Sequence, residues 1–110
     1  MRSYLLDEVS VSDIGKIVGF LNENALRSGM EKLFWVEIPK DCFNETQVQH
    51  IECQPYFFAI ELGTDWIKTE FFVRTLKNLQ CQCSGYCNLR QGNFIFNFME
   101  IMLKELDIKT

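Results

Sequence analysis

The sequence predicts an α+β fold, because it combines helical periodicity near both ends with strand-like runs in the middle. Apolar residues recur at helical spacing in 10–29 and 88–107, whereas the segments between are short, rich in aromatic and β-branched residues, and separated by turn residues. A chain of 110 residues with 47% hydrophobic residues suits one domain with one core. We therefore expect a single α+β domain over 1–110, with an antiparallel four-stranded sheet covered by an N-terminal and a C-terminal helix.

The first helix is predicted to begin at Ser10. Asp13 follows three residues later, which is a variant of the capping box. The apolar positions that follow have helical spacing and continue up to Gly29: Ile14, Ile17, Val18, Leu21 and Ala25. This pattern predicts an amphipathic helix with one buried face.

The first strand is predicted at 33–38, where an aromatic and branched run is stopped by Pro39. The polar stretch that follows, 40–54, predicts a short helix or an irregular excursion. Asp41 and Asn44 are both candidates for its N-cap.

Two further strands are predicted to form a hairpin. Residues 56–62 and 65–75 have strand patterns and flank Gly63-Thr64. A two-residue turn pairs Ile60 with Ile67 and places both apolar sets on one face, whereas a three-residue loop moves one set to the opposite face. The same register pairs Tyr56 with Phe71. The two-residue turn is therefore favoured.

A third strand of this meander is predicted at 79–84. Polar and apolar residues alternate there, so Leu79, Cys81 and Cys83 share one face of a straight strand. The residues 76–78 then serve as a three-residue loop.

The last helix is predicted to begin with a capping box at Asn88 and Gln91 and to run to about Asp107. Its polar residues form one narrow stripe, and nearly all other positions are apolar. Such a wide apolar surface needs a second contact beyond the sheet. The alternatives are burial beneath both the sheet and the first helix, or the seam of a homodimer.

Charge and composition exclude several classes of function. The net charge is −4, and the densest basic stretch contains only Arg74 and Lys77, so we expect no binding to nucleic acid. No run approaches the roughly 18 apolar residues of a membrane span. Asp7 and Glu8 stand where a secretory signal needs its apolar core, which predicts a cytoplasmic protein without a membrane partner.

The cysteines provide the main candidate site. His50, Cys53, Cys81, Cys83 and Cys87 contain donors for a structural zinc ion. On a straight strand, however, residues two apart have Cα atoms roughly 6.6 Å apart, whereas sulfurs that share a zinc lie about 3.8 Å apart. Core packing of Cys81 and Cys83 is therefore favoured, with zinc as the alternative and no other cofactor expected.

Cys87 is the best candidate for a reactive thiol, because it directly precedes the predicted helix cap, where the helix dipole can lower a thiol pKa. A cysteine nucleophile usually needs a positioned base, and no motif places His50, the only histidine, beside it. An enzyme is therefore disfavoured, and no catalytic residue is assigned.

Aromatic residues near charged ones predict an interaction surface on the outer sheet face, and the apolar surplus of the last helix is the alternative surface. The candidate contact residues are Phe57, Trp66, Phe72, Arg74, Phe94 and Ile101. The first hypothesis is thus a small interaction or binding module that forms a homodimer or binds another protein. A zinc-binding protein and a thiol-dependent enzyme at Cys87 are the alternatives.

Overall fold

The computed structural model describes residues 3–109 and confirms an α+β fold with helices and an antiparallel sheet. The helices are α1 (Val11–Asn24), α2 (Glu45–Gln49) and α3 (Leu89–Glu105), with single 3₁₀ turns at Lys40–Cys42 and Ile51–Cys53. The strands are β1 (Ser3–Leu6), β2 (Leu26–Arg27), β3 (Leu33–Glu37), β4 (Tyr56–Leu62), β5 (Ile67–Glu70), β6 (Phe72–Thr75) and β7 (Gly85–Tyr86). Within residues 3–109, no helix is long and apolar enough to cross a membrane.

Within residues 3–109 the sheet has seven strands, so the predicted number of four is wrong. Its main order is β1-β5-β4-β3-β2, and β6 pairs with both β4 and β7. Three of the strands that the sequence did not reveal, β1, β2 and β7, have only two to four residues each. Such short segments contain too few side chains to show a period of two.

The β4–β5 hairpin has a four-residue loop, so the predicted two-residue turn is wrong. Leu62, rather than Ile60, pairs with Ile67. The shift of two residues keeps every side chain on its predicted face, and the apolar sets still coincide. The loop requires glycine at 63, because a Cβ there would lie 2.0 Å from the Nε1 of Trp66.

The predicted continuous strand at 65–75 is interrupted at Phe71, where the chain bends between β5 and β6. Tyr56 therefore pairs with Thr75 and not with Phe71. The bend inserts two extra residues opposite β4, as in a β-bulge. After the bend, β6 pairs with β7, and loop 76–84 connects these two strands.

The predicted strand at 79–84 is wrong, and so is the three-residue connection before it. The whole segment 76–84 is a loop built of turns. The Cys81 N–H donates to the Asn78 carbonyl at 3.1 Å, and the Ser84 N–H donates to the Cys81 carbonyl at 3.3 Å. These short-range bonds replace the inter-strand bonds that an extended segment would make.

The helix starts are confirmed. The Ser10 hydroxyl accepts from the Asp13 N–H at the start of α1, and Asn88 and Gln91 form a complete capping box at the start of α3. The predicted end of the first helix near Gly29 is wrong, because Ala25 is extended and the chain enters β2.

The core lies between one face of the sheet and the two long helices. The ring of Phe98 in α3 packs edge-on against Phe20 of α1 at 6.0 Å and against Phe58 of β4 at 5.8 Å. The last helix thus contacts both the sheet and α1. Other apolar residues of α3 remain outside this core, with Phe96 45% and Ile101 55% exposed.

Candidate metal centre

Four potential metal ligands meet beside the end of the sheet where β4 begins. One nitrogen of His50 and the sulfurs of Cys53, Cys81 and Cys83 all lie within 4.8 Å of one another. Cys53 and Cys83 are buried, whereas His50 and Cys81 are partly exposed. The cluster thus lies at the boundary between the core and the surface.

Two ligands come from the segment that precedes β4. The capping box of Asn44 and Gln47 starts α2, which ends at His50. The 3₁₀ turn that follows brings Cys53 back beneath the histidine, with its N–H donating to the His50 carbonyl at 3.0 Å. These successive turns give the His-x-x-Cys spacing its converging geometry.

The other two ligands come from loop 76–84. The turn at Gln82 and Cys83 bends the chain, so Cys81 and Cys83 are not separated as on a straight strand. The Nδ1 atom of His50 lies 3.2 Å from the Cys81 sulfur. The objection to a shared metal that the sequence raised depended on a straight strand, and the bend removes it.

Two buried glutamines hold this loop in place. The side-chain amide of Gln47 donates to the Cys83 carbonyl at 3.0 Å, and that of Gln91 donates to the Gln47 side-chain oxygen at 2.8 Å. Gln91 also donates to the Cys42 carbonyl at 3.0 Å. Each glutamine is the third residue of its helix and closes an Asn-x-x-Gln capping box, so two helix starts support the cysteine loop.

Thr75 joins the two ligand segments on the other side. Its hydroxyl donates to the Cys53 carbonyl, and its N–H donates to the Ser84 hydroxyl. Thr75 is fully buried at the end of β6. The sequence analysis did not identify Gln47, Gln91 or Thr75 as supporting residues. The Asn-x-x-Gln pattern occurs at both helix starts, and it is the sequence signal that could have identified Gln47 and Gln91.

The thiols have unequal acidities. The Cys83 backbone N–H, followed by the Cys83 side chain, lowers the pKa of Cys81 to about 7, and His50 contributes in the same direction. Burial, followed by hydrogen bonds with Cys83 and Cys81, raises the pKa of Cys53 to about 12. A metal that binds here at neutral pH must therefore displace the Cys53 proton.

We expect the metal-free protein to contain one cysteine that ionises at a pH of about 7. Since this pKa lies below the ordinary value of 9.0, the unfolded chain binds more protons between the two values. The contribution of Cys81 to the free energy of unfolding therefore rises with pH over this interval, and it is lost as the pH falls through the lower value. Thiolate absorbance, titrated against pH, measures the ionisation.

Cys81→Ser should remove this ionisation, and Cys87→Ser should keep it. A wild-type titration in which no thiolate forms until near the ordinary value of 9.0 would contradict the assignment.

Cys87 lies outside the four-residue cluster. It lines a surface groove with Phe71 and Gly92, and its N–H donates to the Phe71 carbonyl at 3.0 Å. Burial raises the pKa of this thiol, which is opposite to the lowering that the helix dipole could produce. The only histidine of the chain lies in the cluster, so the structure offers no support for a nucleophilic Cys87.

The six predicted contact residues are divided between the sheet with its hairpin loop and α3. Phe57 in β4 is only 5% exposed. Arg74 lies over the rings of Trp35 and Phe72, at 5.7 and 4.7 Å from their centroids. Trp66 belongs to the hairpin loop, and the remaining two, Phe94 and Ile101, belong to α3.

No protein-family model matches the chain, and neither a curated protein nor a solved structure is significantly similar to it. The function of the protein is therefore inferred from the chemistry of the four clustered residues.

Proposed function

We propose that this protein binds one zinc ion through His50, Cys53, Cys81 and Cys83, and that the ion is structural. The supporting observation is that four donor atoms from two separate segments lie within 4.8 Å of one another. Three cysteines and one histidine are a donor set typical of structural zinc sites. The ion would fasten loop 76–84 to the turns that precede β4.

The donor types favour zinc over the common hard cations. Calcium and magnesium prefer oxygen ligands, whereas thiolate and imidazole suit zinc. Sulfurs that share a tetrahedral zinc lie about 3.8 Å apart, so only a small contraction of the cluster is needed to hold one ion. Four protein ligands leave no open position for a substrate, which favours a structural over a catalytic ion.

The experiment combines metal analysis with native mass spectrometry on protein purified without oxygen or chelators. Wild-type protein is expected to contain one zinc per chain. The double variant Cys81→Ser/Cys83→Ser is expected to contain none, because it lacks two of the four ligands. Cys87→Ser is the matched control, since it removes a cysteine outside the cluster and should retain the zinc.

A wild-type protein that stays metal-free after exposure to stoichiometric zinc would overturn the proposal. A loss of zinc from Cys87→Ser would show that the ligand set is wrong.

Association of two copies through the outer sheet face is a second candidate function, which keeps the hypothesis of an interaction module. The outer sheet face is the surface directed away from α1 and α3, and it includes Leu5, Leu26, Trp35, Phe72, Arg74 and Tyr86. Leu5 is 58% and Leu26 is 54% exposed. They lie at the two edges of the main strand order, in β1 and β2, with Trp35 of β3 between them on the same face. Exposed apolar groups on one face are typical of a protein interface.

Sedimentation velocity over a range of concentrations tests this association. Wild-type protein is expected to dimerise as its concentration rises, and Leu5→Asp/Leu26→Asp is expected to remain monomeric. The control Ile101→Asp changes an exposed residue of α3 and should still dimerise. A wild-type monomer at high micromolar concentration contradicts dimerisation, and a monomeric Ile101→Asp variant would place the seam on α3 instead.

A further inference from the structure

Tyr56, the first residue of β4, lies beside the metal ligands and is completely buried. Its ring packs edge-on against Phe43, with centroids 5.0 Å apart, and its backbone pairs with Thr75. The contact with Phe43 therefore holds the ring, and pairing with β6 holds the backbone. Tyr56 was not among the site residues that the sequence predicted.

The Tyr56 hydroxyl is enclosed but forms no well-directed hydrogen bond within residues 3–109. Buried hydroxyls are almost always paired, so an unpaired one needs an explanation. The side chains of Cys83, Cys53 and Cys81 lie near it, and Cys83 interacts with it most strongly. A phenol carries one O–H donor, and a cysteine sulfur can accept it.

Metal binding would supply the missing acceptor. A neutral thiol accepts hydrogen bonds weakly, whereas a thiolate is an ionised acceptor that forms stronger bonds. A zinc-bound cysteine is a thiolate, so metal binding would place a strong acceptor beside Tyr56. The Cys83 carbonyl is already held by Gln47 at 3.0 Å, so such a bond would fix this ligand at both its backbone and its sulfur.

We infer that Tyr56 is a positioning residue of the metal centre, and that its hydroxyl donates a hydrogen bond to the metal-bound sulfur of Cys83. This inference rests on the proposed zinc site. Hydrogen bonds to the ligands orient them and tune the metal, and their removal typically weakens metal binding by about 10- to 100-fold. Tyr56 thus connects the buried start of β4 to a metal ligand through one hydrogen bond.

The variant Tyr56→Phe tests the inference because it removes only the hydroxyl. We expect its zinc affinity, measured by competition with a chromophoric chelator, to fall by about 10- to 100-fold. The metal-free variant should unfold no more readily than the wild type, since it loses an unpaired buried group. A loss of zinc affinity without a loss of metal-free stability separates a role in the metal centre from a general role in packing.

Cobalt substitution provides a spectroscopic test. A hydrogen bond to sulfur lowers the energy of its lone pairs, so the sulfur-to-cobalt charge-transfer band of Tyr56→Phe is expected at a longer wavelength than in the wild type. Tyr4→Phe is the matched control, because the Tyr4 hydroxyl contacts Glu100 on the surface at 3.2 Å. It should leave both the zinc affinity and the band unchanged.

Each alternative outcome is distinct. A Tyr56→Phe variant with wild-type zinc affinity and an unshifted cobalt band would overturn the role of Tyr56 and leave the zinc site intact. A metal-free variant that unfolds more readily than the wild type would show that the hydroxyl already has a partner without metal. A wild-type protein that binds neither zinc nor cobalt would overturn the proposed function itself.

Discussion

Removal of zinc is expected to lower the free energy of unfolding by about 4 kcal/mol when free zinc exceeds the dissociation constant about 1,000-fold. The physical reason is that the proposed ion would bind only the folded arrangement of the four ligands, which come from two segments. Urea unfolding of the zinc-loaded protein, with and without excess chelator, measures the difference. Cys87→Ser should show the same decrease as the wild type.

The destabilisation should be concentrated near the site. Loop 76–84 contains no helix or strand, and Leu79 within it is 75% exposed, so few apolar contacts hold this segment. Amide hydrogen exchange should therefore accelerate more in 76–86 than in α1 when zinc is removed. An unchanged free energy of unfolding, after metal analysis has verified complete removal, would show that the ion is not structural.

Phe58→Ala is expected to destabilise the protein by about 3–5 kcal/mol. Phe58 is fully buried, and its ring packs edge-on against Phe94 at 6.3 Å and Phe98 at 5.8 Å. Its truncation removes buried apolar surface and leaves a cavity between the sheet and α3. The neighbouring rings cannot move into this space, because they are closely packed themselves. Thermal or urea unfolding measures the effect.

The matched control is Ile101→Ala in α3. Ile101 is 55% exposed, so its truncation should change the free energy of unfolding by about 0.5 kcal/mol or less. A similar cost for both variants would mean that the core is not centred on Phe58. Together the two substitutions separate the buried face of α3 from its exposed one.

Local signals predicted the helix starts well. Ser10 and Asn88 each satisfy a backbone N–H three residues further along, and this chemistry depends on neighbouring residues alone. The end of α1 was not predicted, because Ala25 and Leu26 continue the apolar spacing although they leave the helix. Pairing of Leu26 with Trp35 of β3 decides that boundary, and this contact is not local.

The periodicity of the sequence predicted which side chains share a face of the sheet, but not the pairing register of the strands. Since side chains alternate with a period of two, a loop of two residues and a loop of four leave the same faces together. The sequence therefore predicted which side of β4 and β5 is apolar and missed their register by two residues. The bend at Phe71 had no signal of its own, because Phe is common within strands.

The cysteine site shows the same limit more sharply. The alternation from Gln80 to Ser84 resembles a half-buried strand, since a cysteine counts as a small apolar residue whether it packs or binds metal. His50, Cys53, Cys81 and Cys83 were all candidates from their residue types. Their convergence depends on turns and on the buried contact of Gln47 with Cys83, 36 residues apart, which no local pattern encodes.

The position of the ligands also sets an order of events for a chain that emerges from a ribosome. His50 and Cys53 are synthesised before β4, and Cys81 and Cys83 only after β6. The ribosome therefore has to synthesise β4, β5 and β6 before all four donors are available to an ion. If the protein binds zinc as proposed, zinc loading would be a late step of biogenesis, and until Cys83 had emerged the earlier thiols would be open to oxidation or to other metals.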